Sequence, residues 1–354
     1  MADSTVKIWA VTIILTILLA GCMKDDQWME NQREDLSGQL TDGGLFIVNE
    51  GNFMNGNATL TFYNPDTKEV QNDLFFNVNG LPLGDVAQSM YLFNNKGYIV
   101  VNNSGRIYII DIQTGKYTGK ITGLVSPRYI HFISEQKAYI TDLYASAITV
   151  FDPTTNQITG SIPTVGHAST ENMIQYGNIL YVSCWSADQT ILMINTENDQ
   201  IIGTITTAIQ PSAMQIDKNN KLWVICDGGL SNNKKPALQQ INLINNTIEK
   251  SFSFTASDKP VKLSIDKTKS TLFFINGGVF RMAIDAAELP SSPIIQSTGL
   301  PFYGLGVDPK TDELYVSDAI DYLQKGVIYR LNFSGEVIDT FKTGIIPGHF
   351  CFKP

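Results

Sequence analysis

Ala138-Tyr139-Ile140-Thr141-Asp142, a short loop Leu143 to Ser146, Ala147-Ile148-Thr149-Val150-Phe151, then Asp152-Pro153-Thr154-Thr155-Asn156 and Gln157 to Ile162 make up the stretch that decides the fold. The two five-residue runs carry β-branched and aromatic residues, as strands do. Asp152-Pro153 opens a turn, because proline pre-sets φ and the aspartate bonds forward to the backbone. Gln157 to Ile162 alternates polar and apolar, the pattern of a half-buried strand. This unit of strand, loop, strand, turn and strand recurs along the chain. A period of about 40–45 residues with four strands per unit is the signature of a propeller blade.

The repeat can be counted twice. The polar residue that opens the turn is Asn64, Asp111, Asp152, Asn195, Asn242, Asp285 and Asn332, in steps of 41 to 47 residues. The strand ending in a small polar residue or cysteine is Leu45 to Asn49, Tyr98 to Asn102, Ala138 to Asp142, Leu180 to Cys184, Leu222 to Cys226, Leu272 to Asn276 and Leu314 to Asp318. Both series give seven, so the sequence predicts an all-β, seven-bladed β-propeller over residues 44–354. Asp285 is the weakest member, because Ala286-Ala287-Glu288-Leu289-Pro290 is not a standard hairpin turn.

Blade one, as read, has no innermost strand. It supplies Leu45 to Asn49, Leu60 to Tyr63 and an outer strand Val70 to Phe76. The apolar chain end, Ile346 to Lys353, has the character of an innermost strand, so the C-terminus is expected to close the ring. The other innermost strands are expected to start near Gln88, Arg128, Asn172, Ser212, Lys262 and Tyr303. Two insertions are longer than the repeat needs, Asp227 to Pro236 and Ala319 to Gly326, and long loops are where function concentrates.

The N-terminus reads separately. Lys7 followed by the apolar run Ile8 to Leu19 is a signal peptide, residues 1–21, too short to span a bilayer comfortably. The run ends in Leu19-Ala20-Gly21-Cys22, which resembles the bacterial lipobox and implies lipidation at Cys22. Met23-Lys24-Asp25-Asp26 resembles the surface-export signal of Bacteroidetes lipoproteins. Residues 22–43 are polar and acidic and read as a flexible tether. The expected location is the outer membrane, lipid-anchored and exposed at the cell surface.

The net charge of −9, with no run of Lys and Arg, argues against a nucleic-acid partner. Beyond Cys22 an odd number of cysteines remains, Cys184, Cys226 and Cys351, which fits buried small residues better than a disulfide framework. The three histidines, His131, His167 and His349, lie in different blades and show no metal-ligand spacing. Asp142, Asp227, Asp318 and Glu50 do not form a calcium loop in sequence. No serine elbow, phosphate loop or CxxC pattern is present, so neither metal nor catalytic group is expected.

One face of such a ring gathers the loops leaving each second strand and those entering each innermost strand. Strand ends bring Asn49, Asn102, Asp142, Asn276 and Asp318 there, and Glu50, Asn52, Phe53, Tyr144, Trp185, Asp227 and Tyr322 follow just beyond. The innermost strands start with Gln88, Arg128, Lys262, Tyr303 and His349. Asn and Asp at strand ends commonly satisfy backbone amides, which gives the recurring ones a structural reading as well. The candidate ligand-binding set is Glu50, Asn52, Phe53, Arg128, Tyr144, Trp185, Asp227, Tyr303, Asp318 and Tyr322. Aromatic rings, amides and a few charges suit a large polar organic ligand.

The strands Leu314-Tyr315-Val316-Ser317-Asp318 and Leu180-Tyr181-Val182-Ser183-Cys184 resemble the Tyr-Val-Thr-Asn repeat of YncE-like propellers. Phe46-Ile47-Val48-Asn49-Glu50-Gly51-Asn52-Phe53 resembles the start of a Bacteroidetes surface-lipoprotein subgroup of these propellers, which includes the vitamin B12-binding protein BtuG. The resemblance implies capture of a ligand at the cell surface, with cobalamin or another corrinoid as the named candidate, and delivery to a TonB-dependent transporter. The rival classes are a lactonase- or lyase-like propeller enzyme, which needs an acid, base and cation together, such as Glu50, Arg128 and His349, and a protein-docking scaffold.

Overall fold

The computed structural model describes residues 40–229 and 234–354. The signal peptide, Cys22, the export-like segment and most of the tether lie outside these residues, as does part of the Asp227 to Pro236 insertion. Among the described residues there are six four-stranded antiparallel sheets and one of three strands, the blades of a seven-bladed propeller. No helix among them is long and apolar enough to cross a membrane.

The turn residues do what their chemistry predicts. The side-chain oxygen of Asn64 accepts from the backbone N–H of Asp66, that of Asp111 from Gln113, and that of Asp152 from Thr154. Asn195, Asn242 and Asn332 accept likewise from Glu197, Ile244 and Ser334. Each is an Asx turn that fixes a hairpin. Asp285 stands apart: blade six stops after Gly278–Ala283 and has three strands, with a single bridge from Val279 to Ile295 at its edge.

The Tyr-Val register of the repeat also has a physical cause. Tyr98, Tyr139 and Tyr181 are fully buried between blades, and each hydroxyl reaches a polar atom in the turn of the next blade. Tyr98 donates to Pro153 O at 3.3 Å and Tyr181 to Asn246 Oδ1 at 3.1 Å, while Tyr139 donates to the Asp199 carboxylate. A tyrosine here supplies a large apolar body and a polar tip that finds a partner. The core consists of seven apolar clusters, one between each pair of neighbouring blades.

The C-terminal strand Pro347–Phe352 is the innermost strand of blade one and pairs antiparallel with Leu45–Asn49. Phe350 lies opposite Ile47 and packs on Tyr315 of blade seven. Blade one differs from expectation at its outer edge. Its outer strand is only Val70–Gln71, and Leu74–Asn79 forms a short helix, α1. Leu74 and Phe75 are buried, Val78 packs one turn on, and Gly80 ends the helix at φ 63°. Leu40–Gly43, read as the end of the tether, are held to the propeller. Leu40 is 2% exposed, and its carbonyl accepts from the buried ammonium of Lys353, which also pairs with Asp42 at 2.8 Å.

Phe350→Ala removes a buried ring at the ring-closing strand and is expected to lower stability by about 3–5 kcal/mol. Urea denaturation reads this directly, and an unchanged midpoint would contradict the closure.

Candidate functional site

The innermost strands do not run in perfect register. In blades two to six the pairing slips at the start of the strand, between Ala87 and Ser89, Pro127 and Ile130, Thr170 and Met173, Pro211 and Ala213, and Val261 and Leu263. The closing strand skips Gly348 in the same way. The residues left out of the ladder are Gln88, Arg128 with Tyr129, Glu171 with Asn172, Ser212, Lys262 and Gly348. A bulge leaves its extra residue unpaired and re-aims the side chain. Here the same device, repeated blade by blade, turns one or two residues per blade toward the axis. Lys262 adopts φ 54° to do so. Tyr303 of blade seven joins them just before its strand, its N–H bonded to Ser317 O.

These residues surround a cavity of about 640 Å³ that descends along the axis. Arg128, Tyr129, Glu171, Asn172, Ser212, Lys262, Tyr303 and Gly348 line it, with Tyr91, Trp185, Asp227, Tyr322 and His349. Arg128 donates to Glu171 at 2.8 Å and also to Gln88. Glu50 accepts from the Tyr303 hydroxyl at 2.9 Å. The Lys262 ammonium donates to Gly348 O at 3.2 Å and stands 5.6 Å from the centre of the Tyr303 ring, in cation–π range.

Burial and mutual charge set the protonation states. Burial pushes the Glu50 and Glu171 carboxyls up, against the pull of Lys262 and Arg128 respectively. Lys262 is pushed down by burial, with Glu50 opposing. Burial also works against charge on Arg128, yet Glu171, Tyr129 and Glu50 together more than offset it and hold the guanidinium protonated. His349 falls from its ordinary 6.5 to about 3, chiefly through burial and then through Lys262, so its imidazole is neutral. Its Nδ1 accepts from Met90 N–H at 3.4 Å, and its ring lies against Tyr91. The arrangement offers ring faces, amide dipoles and two cations, Arg128 paired with Glu171 and Lys262 bonded to a backbone carbonyl. Such a surface can hold a polar organic molecule through stacking and directed hydrogen bonds.

Of the residues proposed from sequence, Arg128, Trp185, Asp227, Tyr303 and Tyr322 line the cavity. Glu50 adjoins it through Tyr303. Trp185 Nε1 donates to Asp227 Oδ2 of the next blade at 2.7 Å, and Tyr303 meets Tyr322 edge to face. Asn52 donates to Tyr322 O at 2.5 Å and so supports the wall. Phe53 and Tyr144 follow the second-strand ends of blades one and three, do not line the cavity, and are 66% and 71% exposed. Asp318 is buried and accepts from Ile320 N–H, which is backbone work. Asn102, Asp142 and Asn276 do the same kind of work, bonding Pro127 O, Ser126 N–H and Lys259 N–H. Glu171, Tyr129 and Tyr91 were not singled out from sequence. Glu171 lies one residue before the expected strand start at Asn172, so the charge beside that start was the available signal.

The fold and the axial cavity define the class: a seven-bladed propeller with a built central site. The chain belongs to the family described as Domain of unknown function (DUF5074), whose profile matches residues 43–350. No functionally curated relative is found. Among solved structures it is similar to a quinonprotein alcohol dehydrogenase-like protein from Bacteroides thetaiotaomicron, at 16% identity and TM-score 0.70 over 89% of this chain and 79% of that one. It is also similar to the periplasmic gluconolactonase of Pseudomonas aeruginosa, at 10% identity and TM-score 0.65 over 88% and 99%. A protein from Lactobacillus plantarum matches at 12% identity and TM-score 0.67 over 88% and 99%. These likenesses establish the fold.

Arg128→Met strands Glu171 in a buried setting and is expected to cost about 3–5 kcal/mol, whereas Arg128→Met with Glu171→Leu recovers much of that; equal losses on denaturation would contradict the buried pair. His349 binds protons in the unfolded chain from about pH 6.5 downward but in the fold only near 3. It therefore removes stability as pH falls through that window. His349→Gln is expected to flatten this part of the pH dependence of the urea midpoint, and parallel curves for the two proteins would contradict a neutral buried imidazole.

Proposed function

We propose that this protein is a non-enzymatic binding protein that captures a ring-bearing polar ligand in its axial cavity. The observation that carries the reading is the ring of bulge residues, one or two from each of several blades, aimed into one cavity with aromatic walls. Arg128 and Lys262 are each engaged by neighbouring protein groups, which favours orienting a ligand over attacking one.

The wider role follows from the N-terminal sequence. Leu19-Ala20-Gly21-Cys22 and Lys24-Asp25-Asp26 support a lipoprotein carried on the outer face of the outer membrane, handing its ligand to a TonB-dependent transporter. The resemblance of Phe46 to Phe53 to the BtuG-like subgroup makes a corrinoid the first ligand to try. The exposed residues Phe53 and Tyr144 suit a ligand larger than the cavity, seated at its mouth.

Calorimetric titration of the protein with cyanocobalamin tests this. One-to-one binding is expected, weakened about tenfold or more by Trp185→Ala or Tyr303→Ala through lost stacking area. No heat and no ligand-induced rise in melting temperature would remove the corrinoid.

An enzyme is the second reading, favoured by one observation: Glu50, Glu171, Lys262 and His349 all have shifted proton affinities in one cleft. The structural neighbour described as a gluconolactonase makes lactones the class to assay. Turnover of gluconolactone that is lost in Glu50→Gln supports it, and absence of turnover leaves the binding role.

A further inference from the structure

Away from the axial cavity, on the same face, blade four carries a second cluster. His167 Nδ1 and Asp188 Oδ2 lie 2.8 Å apart. One ligand atom from each of His167, Cys184 and Asp188 falls within 4.8 Å of the other two. An imidazole nitrogen, a thiol sulfur and a carboxylate oxygen form a donor set suited to zinc or a similar borderline-soft divalent cation.

The cluster is a departure from the repeat. Cys226 occupies the position of Cys184 in the next blade. Ser169 and Gln210 are equivalent in turn, each accepting the N–H that follows the strand end, from Trp185 and Asp227. Thr164 and Thr207 are equivalent at the other end of the loop, donating to Ser146 O and Gln189 O. Thr164 to Ser169 is two residues longer than Thr207 to Gln210, and the longer loop brings in His167. In blade five the Cys226 thiol instead reaches the Gln239 side-chain oxygen, at 3.9 Å. The repeat thus explains a cysteine at this place, but not a histidine and an aspartate gathered around it.

We propose that His167, Cys184 and Asp188 form a zinc-class metal site, with water completing the coordination. His167 and Asp188 are partly exposed, at 28% and 16%, which gives the ion a path from solvent, while Cys184 lies fully buried beneath them. Binding releases the thiol proton to solvent and leaves the imidazole neutral with its proton on Nε2, and the cation compensates the thiolate and carboxylate charges. Trp185 sits on the turn between Cys184 and Asp188, which is closed by Asp188 N–H to Trp185 O at 2.7 Å. The ion therefore ties the wall of the axial cavity to the loop entering blade four. A nucleophilic role for the thiol does not fit, because Cys184 has no exposed surface.

Cobalt and zinc titrations of the metal-free protein test the site. Co(II) is expected to bind one per chain with a sulfur-to-cobalt charge-transfer band in the near ultraviolet. Cys184→Ser should abolish the band, and Cys226→Ser should keep it. Zn(II) should displace the cobalt and raise the melting temperature. His167→Gln changes a partly exposed side chain and leaves the core intact. It is expected to weaken zinc binding about 100-fold or more, since loss of even an outer-shell partner costs about 10–100-fold. Absence of the band, or a zinc-induced rise in melting temperature that is the same in His167→Gln, would overturn the proposal.

Discussion

Everything in this molecule depends on the pairing of Pro347–Phe352 with Leu45–Asn49. A propeller has no core inside a blade; its apolar surface is buried only between neighbouring blades. An open ring of seven would leave two faces unburied, those that Leu45, Ile47, Tyr315 and Phe350 cover here. Backbone pairing between chain end and chain start closes the last gap and removes the exposed edge at once. The same strand brings Gly348 and His349 to the axis, so closing the fold and completing the cavity are one event.

The axial cavity shows how a repeat yields a specific site. The ladder alone would place equivalent side chains in equivalent settings. A bulge at the same place in successive innermost strands frees the residue there from pairing duty, and its identity can then vary: Gln88, Arg128, Glu171, Ser212, Lys262. The charges fall in complementary pairs, Arg128 with Glu171 and Lys262 with Glu50 nearby, which limits the penalty of burial. The aromatic rings around them supply area without further charge.

The repeat was legible because its turns use a local mechanism. Asn and Asp bond their own backbone two residues on, and that signal does not depend on distant contacts. Where the mechanism was absent, at Asp285, the blade is also incomplete. The outer strand of blade one misled because Val70 to Phe76 is apolar enough for a strand. The spacing of Leu74, Phe75 and Val78 before Gly80 is helical, and tertiary packing chose that. The starts of the innermost strands pointed to Arg128, Lys262, Tyr303 and His349, which the structure brings together. Tyr91 and Tyr129 were hidden, since which way a strand residue faces depends on bulge register, and register is set across strands rather than along the sequence. The recurrent Asn and Asp at strand ends illustrate the converse: they are regular because they hold backbone.

The proposed role makes the axial cavity a binding site. Its most direct test is a crystal structure of the protein grown with cyanocobalamin at saturating concentration. The corrinoid is expected over the mouth of the cavity, in contact with Trp185 and Tyr303 and within reach of Arg128 or Lys262. A bound corrinoid elsewhere on the molecule, with these side chains untouched, would contradict it.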